Sequence, residues 1–130
     1  MPEGKAVREV PDSRDVAVAA ARAASEKQGS RIVILDVRDL IVITDYFVIA
    51  SGSSDRQVRT IVEEIEKALR GLAVKPLRRE GESEGAWVLL DYVDVVVHVF
   101  GEEERDFYDL ERLWRDAPTV EWEEAGAASG

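Results

Sequence analysis

Residues 87–100 read Trp-Val-Leu-Leu-Asp-Tyr-Val-Asp-Val-Val-Val-His-Val-Phe, and no other stretch limits the fold so narrowly. β-Branched and aromatic residues dominate it, which favours strands over helix. Two aspartates and the only histidine of the chain are set into that apolar run. The segment predicts two strands joined near Tyr92-Val93, carrying either a polar site on a sheet or an adhesive surface. Side chains alternate along a strand, so Trp87, Leu89 and Asp91 share one face and Val88, Leu90 and Tyr92 the other. On the following strand Val96, His98 and Phe100 stand together.

The rest of the chain supplies partners for that sheet. A helix is expected from about residue 13 to 29, capped by Asp12 or Ser13, with a stripe of small alanines suited to close packing. Residues 31–37 are almost continuously apolar and read as a central strand, 40–43 as an extension or flank of the sheet, and 45–50 as a second strand. After Ser53-Ser54-Asp55, the spacing of Val58, Ile61, Val62, Ile65, Leu69 and Leu72 predicts a helix. Residues 74–77 form a short strand candidate that Pro76 demotes to an edge. Residues 102–114 read as one helix, with acids leading and Arg112 and Arg115 trailing.

The order α-β-β-α-β-β-β-α predicts an α/β or α+β fold: one small domain with a mixed sheet of four to five strands flanked by helices. A chain of 130 residues has room for one core. The expected division is a flexible segment 1–13, a domain 14–118 and an acidic, disordered tail 119–130. Three helices cannot cover both faces of such a sheet, so one face should stay partly open as an interaction surface. Phe100 and Leu113 are expected in the core, Trp87 and Tyr92 at the surface.

Charge narrows the choice of partner. The formal net charge of −10 repels phosphate backbones and anionic headgroups. The cationic clusters Lys75, Arg78, Arg79 and Arg105, Arg112, Arg115 sit among carboxylates, so no direct nucleic-acid binding is expected. The absence of cysteine excludes disulfides and thiolate chemistry. No apolar run approaches the roughly 20 residues of a membrane span, and cytoplasmic residence is expected.

An enzyme reading starts from Gly52-Ser53, a strand-to-helix turn of the kind that nucleotidyltransferases use to hold phosphate. Those enzymes also need two carboxylates two residues apart on one strand face to share a magnesium ion. Asp91 and Asp94 are three apart and fall on opposite faces of an extended chain. Asp36 and Asp39 have the same spacing. Gly52-Ser53 therefore reads first as a strand end and helix cap. His98 reads first as a buried imidazole bonded to Asp91 or Asp94, and no catalytic residue, metal or cofactor is expected. A metal-dependent nucleotidyltransferase using Asp91 or Asp94 is the alternative to a binding role for Trp87, Tyr92, Phe100, Tyr108 and Trp114.

Several motifs then occur in order between residues 16 and 118. They are Asp36-Val37-Arg38, residues 43–49, Gly52-Ser53-Ser54 with Arg56, residues 85–92, residues 94–98 and residues 105–114. Together they resemble the ribosomal silencing factor RsfS (Iojap/YbeB) family. The resemblance implies a nucleotidyltransferase-like topology without the catalytic carboxylates, and no enzymatic activity. It implies a cytoplasmic repressor of translation, homodimeric when free. Such a factor docks on large-subunit ribosomal protein uL-fourteen and sterically blocks subunit joining when nutrients are limiting. The partner-binding set it implies is Trp87, Val88, Leu89, Asp91, Tyr92, Asp94 and His98. Val93 stands where many members carry glycine, which puts a β-branched residue in a turn that favours positive φ.

Overall fold

The computed structural model describes residues 11–123. Its elements are α1 (Ser13–Glu26), β1 (Ser30–Asp36), β2 (Tyr46–Gly52), α2 (Asp55–Gly71), β3 (Arg78–Glu80), β4 (Trp87–Asp91), β5 (Val95–Gly101), α3 (Glu102–Tyr108) and α4 (Leu110–Leu113). The five strands make one mixed sheet in the order β1-β2-β5-β4-β3. Only β2 and β5 run parallel; every other neighbouring pair is antiparallel. The expected fold class and element order hold, with the last helix divided in two.

The division of layers follows from alternation. Val48 and Ala50 of β2, Val95, Val97 and Val99 of β5, and Val88 and Leu90 of β4 point toward α1 and α2 and form the larger core cluster. On α1, Ala17, Ala20, Ala21 and Ala24 are fully buried, and side chains this short let the helix lie close to sheet and neighbour. Asp12 caps α1 by accepting from the Arg14 amide, and Ser54 caps α2 by accepting from the Gln57 amide. α2 buries Val58, Ile61, Val62, Ile65 and Leu69, as its spacing predicts.

The opposite sheet face has a smaller cluster, built on Leu35, Val37, Phe47, Ile49, Phe100 and Ala117. Among the described residues, α3, α4, the segment through Ala117 and the loop holding Ile41 lie over it, which leaves this face partly open. Residues 40–43 are not a strand: Val42 and Ile43 are exposed in the β1–β2 connection while Ile41 turns inward. Residues 74–77 are likewise not a strand, although the Leu77 amide donates to the Asp91 carbonyl at 2.6 Å, and the edge strand begins two residues after Pro76.

The expected helix 102–114 breaks at Asp109, which takes a left-handed conformation with φ 49° and ends α3. Leu113 is consequently exposed rather than in the core. At the other end of the sheet the packed chain runs past Pro118. The Asp36 amide donates to the Pro118 carbonyl (2.8 Å), and the Val120 amide donates to that of Ile34 (2.9 Å). The Trp122 indole donates to the Ile32 carbonyl (3.3 Å). Residues 119–123 thus line the free edge of β1, while the remainder of the expected tail and residues 1–10 lie outside the described residues.

Candidate docking face

The register of β4 on β5 pairs Trp87 with Phe100, Leu89 with His98 and Asp91 with Val96. Alternation therefore sets Trp87, Leu89, Asp91, Val96, His98 and Phe100 on the partly open face. Aromatic rings cross it in a connected line. Trp114 meets Phe47 edge to face at 5.4 Å between centroids, and Phe47 meets His98 in the same manner at 5.4 Å. His98 lies 6.0 Å from Trp87, which packs 4.5 Å from Tyr108, which in turn meets Phe107 at 5.0 Å. Phe107 is 80% exposed, so the line emerges into solvent at α3.

Trp87 is half-buried, and three features hold it. Its indole N–H donates to His98 Nδ1 at 3.1 Å. Its ring packs on Phe100 at 4.9 Å. Behind it Gly81, with φ 84°, lies so close to the Trp87 carbonyl that a Cβ at that position would stand 1.9 Å from the oxygen. Only glycine suits both that φ and that approach.

His98 is buried and bonded to no carboxylate, contrary to the sequence expectation. Because Nδ1 accepts from Trp87, its proton belongs on Nε2, which is buried without a hydrogen-bond partner among the described residues. Burial lowers its pKa to about 4. The imidazole is thus neutral near pH 7 and serves as an acceptor and a packing ring.

Asp91 supports a strained turn. One carboxylate oxygen accepts from the Val93 amide at 2.8 Å and the other from Arg78 Nε at 3.3 Å. Val93 has φ 76°, and the Asp94 amide donates to the Tyr92 carbonyl two residues back at 3.0 Å, forming a positive-φ γ-turn. Asp94 is exposed at the tip.

The residues expected at the site are therefore divided. Trp87, Leu89, Asp91 and His98 share the partly open face, with Asp94 at its corner. Val88 and Tyr92 are buried on the helix-covered side, and the surface position expected for Tyr92 is not found. Their alternation with Trp87, Leu89 and Asp91 already separated them by face. Tyr108 and Phe107 join the face without having been included in that set; the Arg105–Trp114 motif held them, but the contact of Tyr108 with Trp87 depends on the tertiary fold.

Beneath α3, Arg105 is almost fully buried and donates to Ser51 Oγ at 2.6 Å, the Arg31 carbonyl at 2.5 Å and Glu111 at 2.5 Å. Burial works to raise the Glu111 carboxyl, but the Arg105 hydrogen bond and charge prevail and hold it below its ordinary value. This pair ties α3 to α4 across the Asp109 break and clamps both onto the sheet.

The turn into α2 has the geometry of a cap. The Ser53 amide and hydroxyl both donate to Gln57 Oε1, at 2.6 and 2.8 Å, while Gln57 Nε2 donates to the Lys27 and Gln28 carbonyls. The donors that a phosphate would need are directed to a side chain. A Cβ at Gly52 would approach the Val58 amide nitrogen to 3.0 Å, so this glycine serves close packing. Among the described residues, no three His, Cys, Asp or Glu are grouped to hold a metal ion. No described helix is long and apolar enough to cross a membrane.

Comparison with known proteins places the chain among relatives of one family. Residues 10–129 match the family described as "Ribosomal silencing factor during starvation". A ribosomal silencing factor RsfS from Halalkalibacterium halodurans is 42% identical over 104 residues, covering 80% of this chain and 89% of that protein. One from Bacillus subtilis is 42% identical over 102 residues, covering 78% and 86%. A crystal structure of a protein from Chromobacterium violaceum superposes with a TM-score of 0.77 at 34% identity, covering 80% of this chain and 87% of that one.

Proposed function

The chain belongs to the ribosomal silencing factor family, and from that premise we propose that it represses translation by docking its partly open sheet face on ribosomal protein uL-fourteen of the large subunit. Occupancy there blocks joining of the small subunit, without catalysis and without a cofactor. The aromatic line from Phe47 through His98, Trp87 and Tyr108 to Phe107 carries the reading. Ordered, half-exposed Trp and Tyr rings are the side chains that most often dominate binding energy at protein interfaces.

Within this reading the seven expected residues take different parts. Trp87, Leu89 and Asp94 meet the partner. Asp91 holds the turn that presents Asp94, and His98 holds the Trp87 indole. Val88 and Tyr92 support the strand from behind. A net charge of −10 complements a basic ribosomal protein and speeds encounter with it. The proposal also includes cytoplasmic residence and a homodimer for the free protein; light scattering tests the dimer.

The deciding experiment mixes purified protein with dissociated ribosomes on a sucrose gradient. Co-migration with large subunits and reduced re-formation of whole ribosomes are expected. Trp87→Ala should weaken that association by about 2 kcal/mol, roughly 30-fold. Binding that leaves joining intact would keep the partner and discard the mechanism.

A further inference from the structure

Two turns at one end of the sheet hold aliphatic side chains out into solvent. Val42 is 99% exposed, Ile43 81% and Val93 51%, with Leu40 partly exposed beside them. Strand register brings the two turns together. Tyr46 of β2 pairs with Val95 of β5, and the Asp45 and Tyr46 amides both donate to the Asp94 carbonyl, at 2.8 and 3.2 Å. The β1–β2 connection therefore abuts the β4–β5 turn, and the exposed aliphatic residues of both lie along one rim. Contiguous exposed apolar surface of this kind marks an interaction site.

The exposure does not come from a slack loop. The Leu40 and Ile41 amides both donate to the Val37 carbonyl at 3.0 Å, the Val37 amide donates to the Asp45 carbonyl at 2.9 Å, and the Ser13 hydroxyl donates to the Asp45 carboxylate at 2.7 Å. Ile41 packs inward and Thr44 is buried, so Val42 and Ile43 stand between two anchored neighbours. Val93 presents its isopropyl group from a backbone at φ 76°, which a β-branched side chain disfavours. Strain at a residue that is half exposed gains the fold little packing in return, and strain kept in that way points to a role outside the fold.

We propose that Val42, Ile43 and Val93 form a second contact of the dock, seated on an apolar patch of uL-fourteen that basic side chains border; the inference rests on the docking reading of the sheet face. Continuity supports it. Ile41 of the same connection belongs to the smaller core beneath that face, and Asp94, assigned above to the partner, directly follows Val93. Charge selects the occupant. Asp39 and Asp94 are exposed beside the row, whereas Arg38 is drawn onto Asp36 by two hydrogen bonds at 2.7 and 2.9 Å. Two copies of this chain meeting here would bring like charges together, and anionic headgroups would be repelled, while a basic protein with an apolar patch satisfies both features. β-Branched side chains have few rotamers to lose, so the row is suited to binding without a large ordering cost.

The test uses the full chain with Val42→Ser and Ile43→Ser combined, and separately Val93→Gly. Both positions of the double variant are exposed, so its denaturation midpoint should match that of the wild type. Affinity is measured for large subunits by sedimentation and for isolated uL-fourteen, with light scattering on the free protein. The double variant should lose about tenfold against both targets and keep the wild-type mass. Val93→Gly should lower both affinities by about threefold while its denaturation midpoint rises, a split that a purely structural residue would not give. Wild-type affinity in the double variant would overturn the proposal. A changed mass would overturn it by assigning the row to a second copy, and a loss confined to large subunits would do so by placing the row against another ribosomal component. If the wild type binds neither target, the proposed function and this inference fall together; if it binds and only Trp87→Ala weakens it, the inference alone falls.

Discussion

The Trp87 indole N–H donates to His98 Nδ1 across the β4–β5 ladder at 3.1 Å, fixing the ring on which the proposed docking face is centred. A mid-strand histidine that could be read as a reagent is instead the acceptor that orients a tryptophan. Trp87→Phe should keep most of the packing and lose the orientation. Its subunit affinity, measured by sedimentation, is expected to fall between those of the wild type and Trp87→Ala.

His98 also gives stability a pH dependence. Burial lowers its folded pKa to about 4, against 6.5 ordinarily, so between these values the unfolded chain binds the proton and the folded chain does not. Stability is therefore fully present above about pH 6.5 and falls as pH drops toward 4, by about 3 kcal/mol in all. Urea denaturation across that range should show the slope, and His98→Phe should flatten it. Asp36, held below the ordinary carboxylate value chiefly by its hydrogen bond from Arg38, loses its contribution only in more acid solution.

Arg105→Ala should destabilise the fold by about 3 to 5 kcal/mol, because it removes one member of a buried ion pair and leaves Ser51 and Glu111 without their donor. Arg105→Lys should rescue little, since a single ammonium cannot reproduce the fork that reaches Ser51, Arg31 and Glu111. Thermal denaturation measures both, and limited proteolysis should cut first near α3 and α4.

Val93→Gly should raise stability by about 1 kcal/mol. A β-branched residue at φ 76° bears strain that glycine does not, and the gain exceeds the entropy glycine adds to the unfolded chain. Chemical denaturation should show a higher midpoint with an unchanged slope.

Phe107→Ser separates function from folding. The side chain is 80% exposed, so stability should move by less than about 0.5 kcal/mol. Subunit affinity should nevertheless fall several-fold if α3 belongs to the dock; wild-type affinity would confine the dock to β4 and β5.

Much of the face was legible in the sequence because alternation is local. The spacing of Trp87, Leu89 and Asp91 against Val88, Leu90 and Tyr92 separated the two faces of β4. Capping at Asp12 and Ser54 was legible for the same reason. What escaped depends on distant partners. Asp109 adopts a left-handed conformation in a segment whose composition reads as unbroken helix, and that break exposes Leu113. Arg105 looks like a surface cation until Ser51 and Arg31, far away in sequence, enclose it. Ile41 turns inward and Val42 outward because a loop rounds the smaller core there, a curvature that period-two spacing does not encode.

The pairing of residues 118–120 along β1 has a consequence for crowding. A sheet recruits strangers through unpaired rims. Here one rim carries the chain's own C-terminal stretch, and the other is a three-residue strand of two arginines and a glutamate. Neither invites strand-by-strand growth, so concentrated copies should resist fibrous assembly despite a sheet so rich in valine.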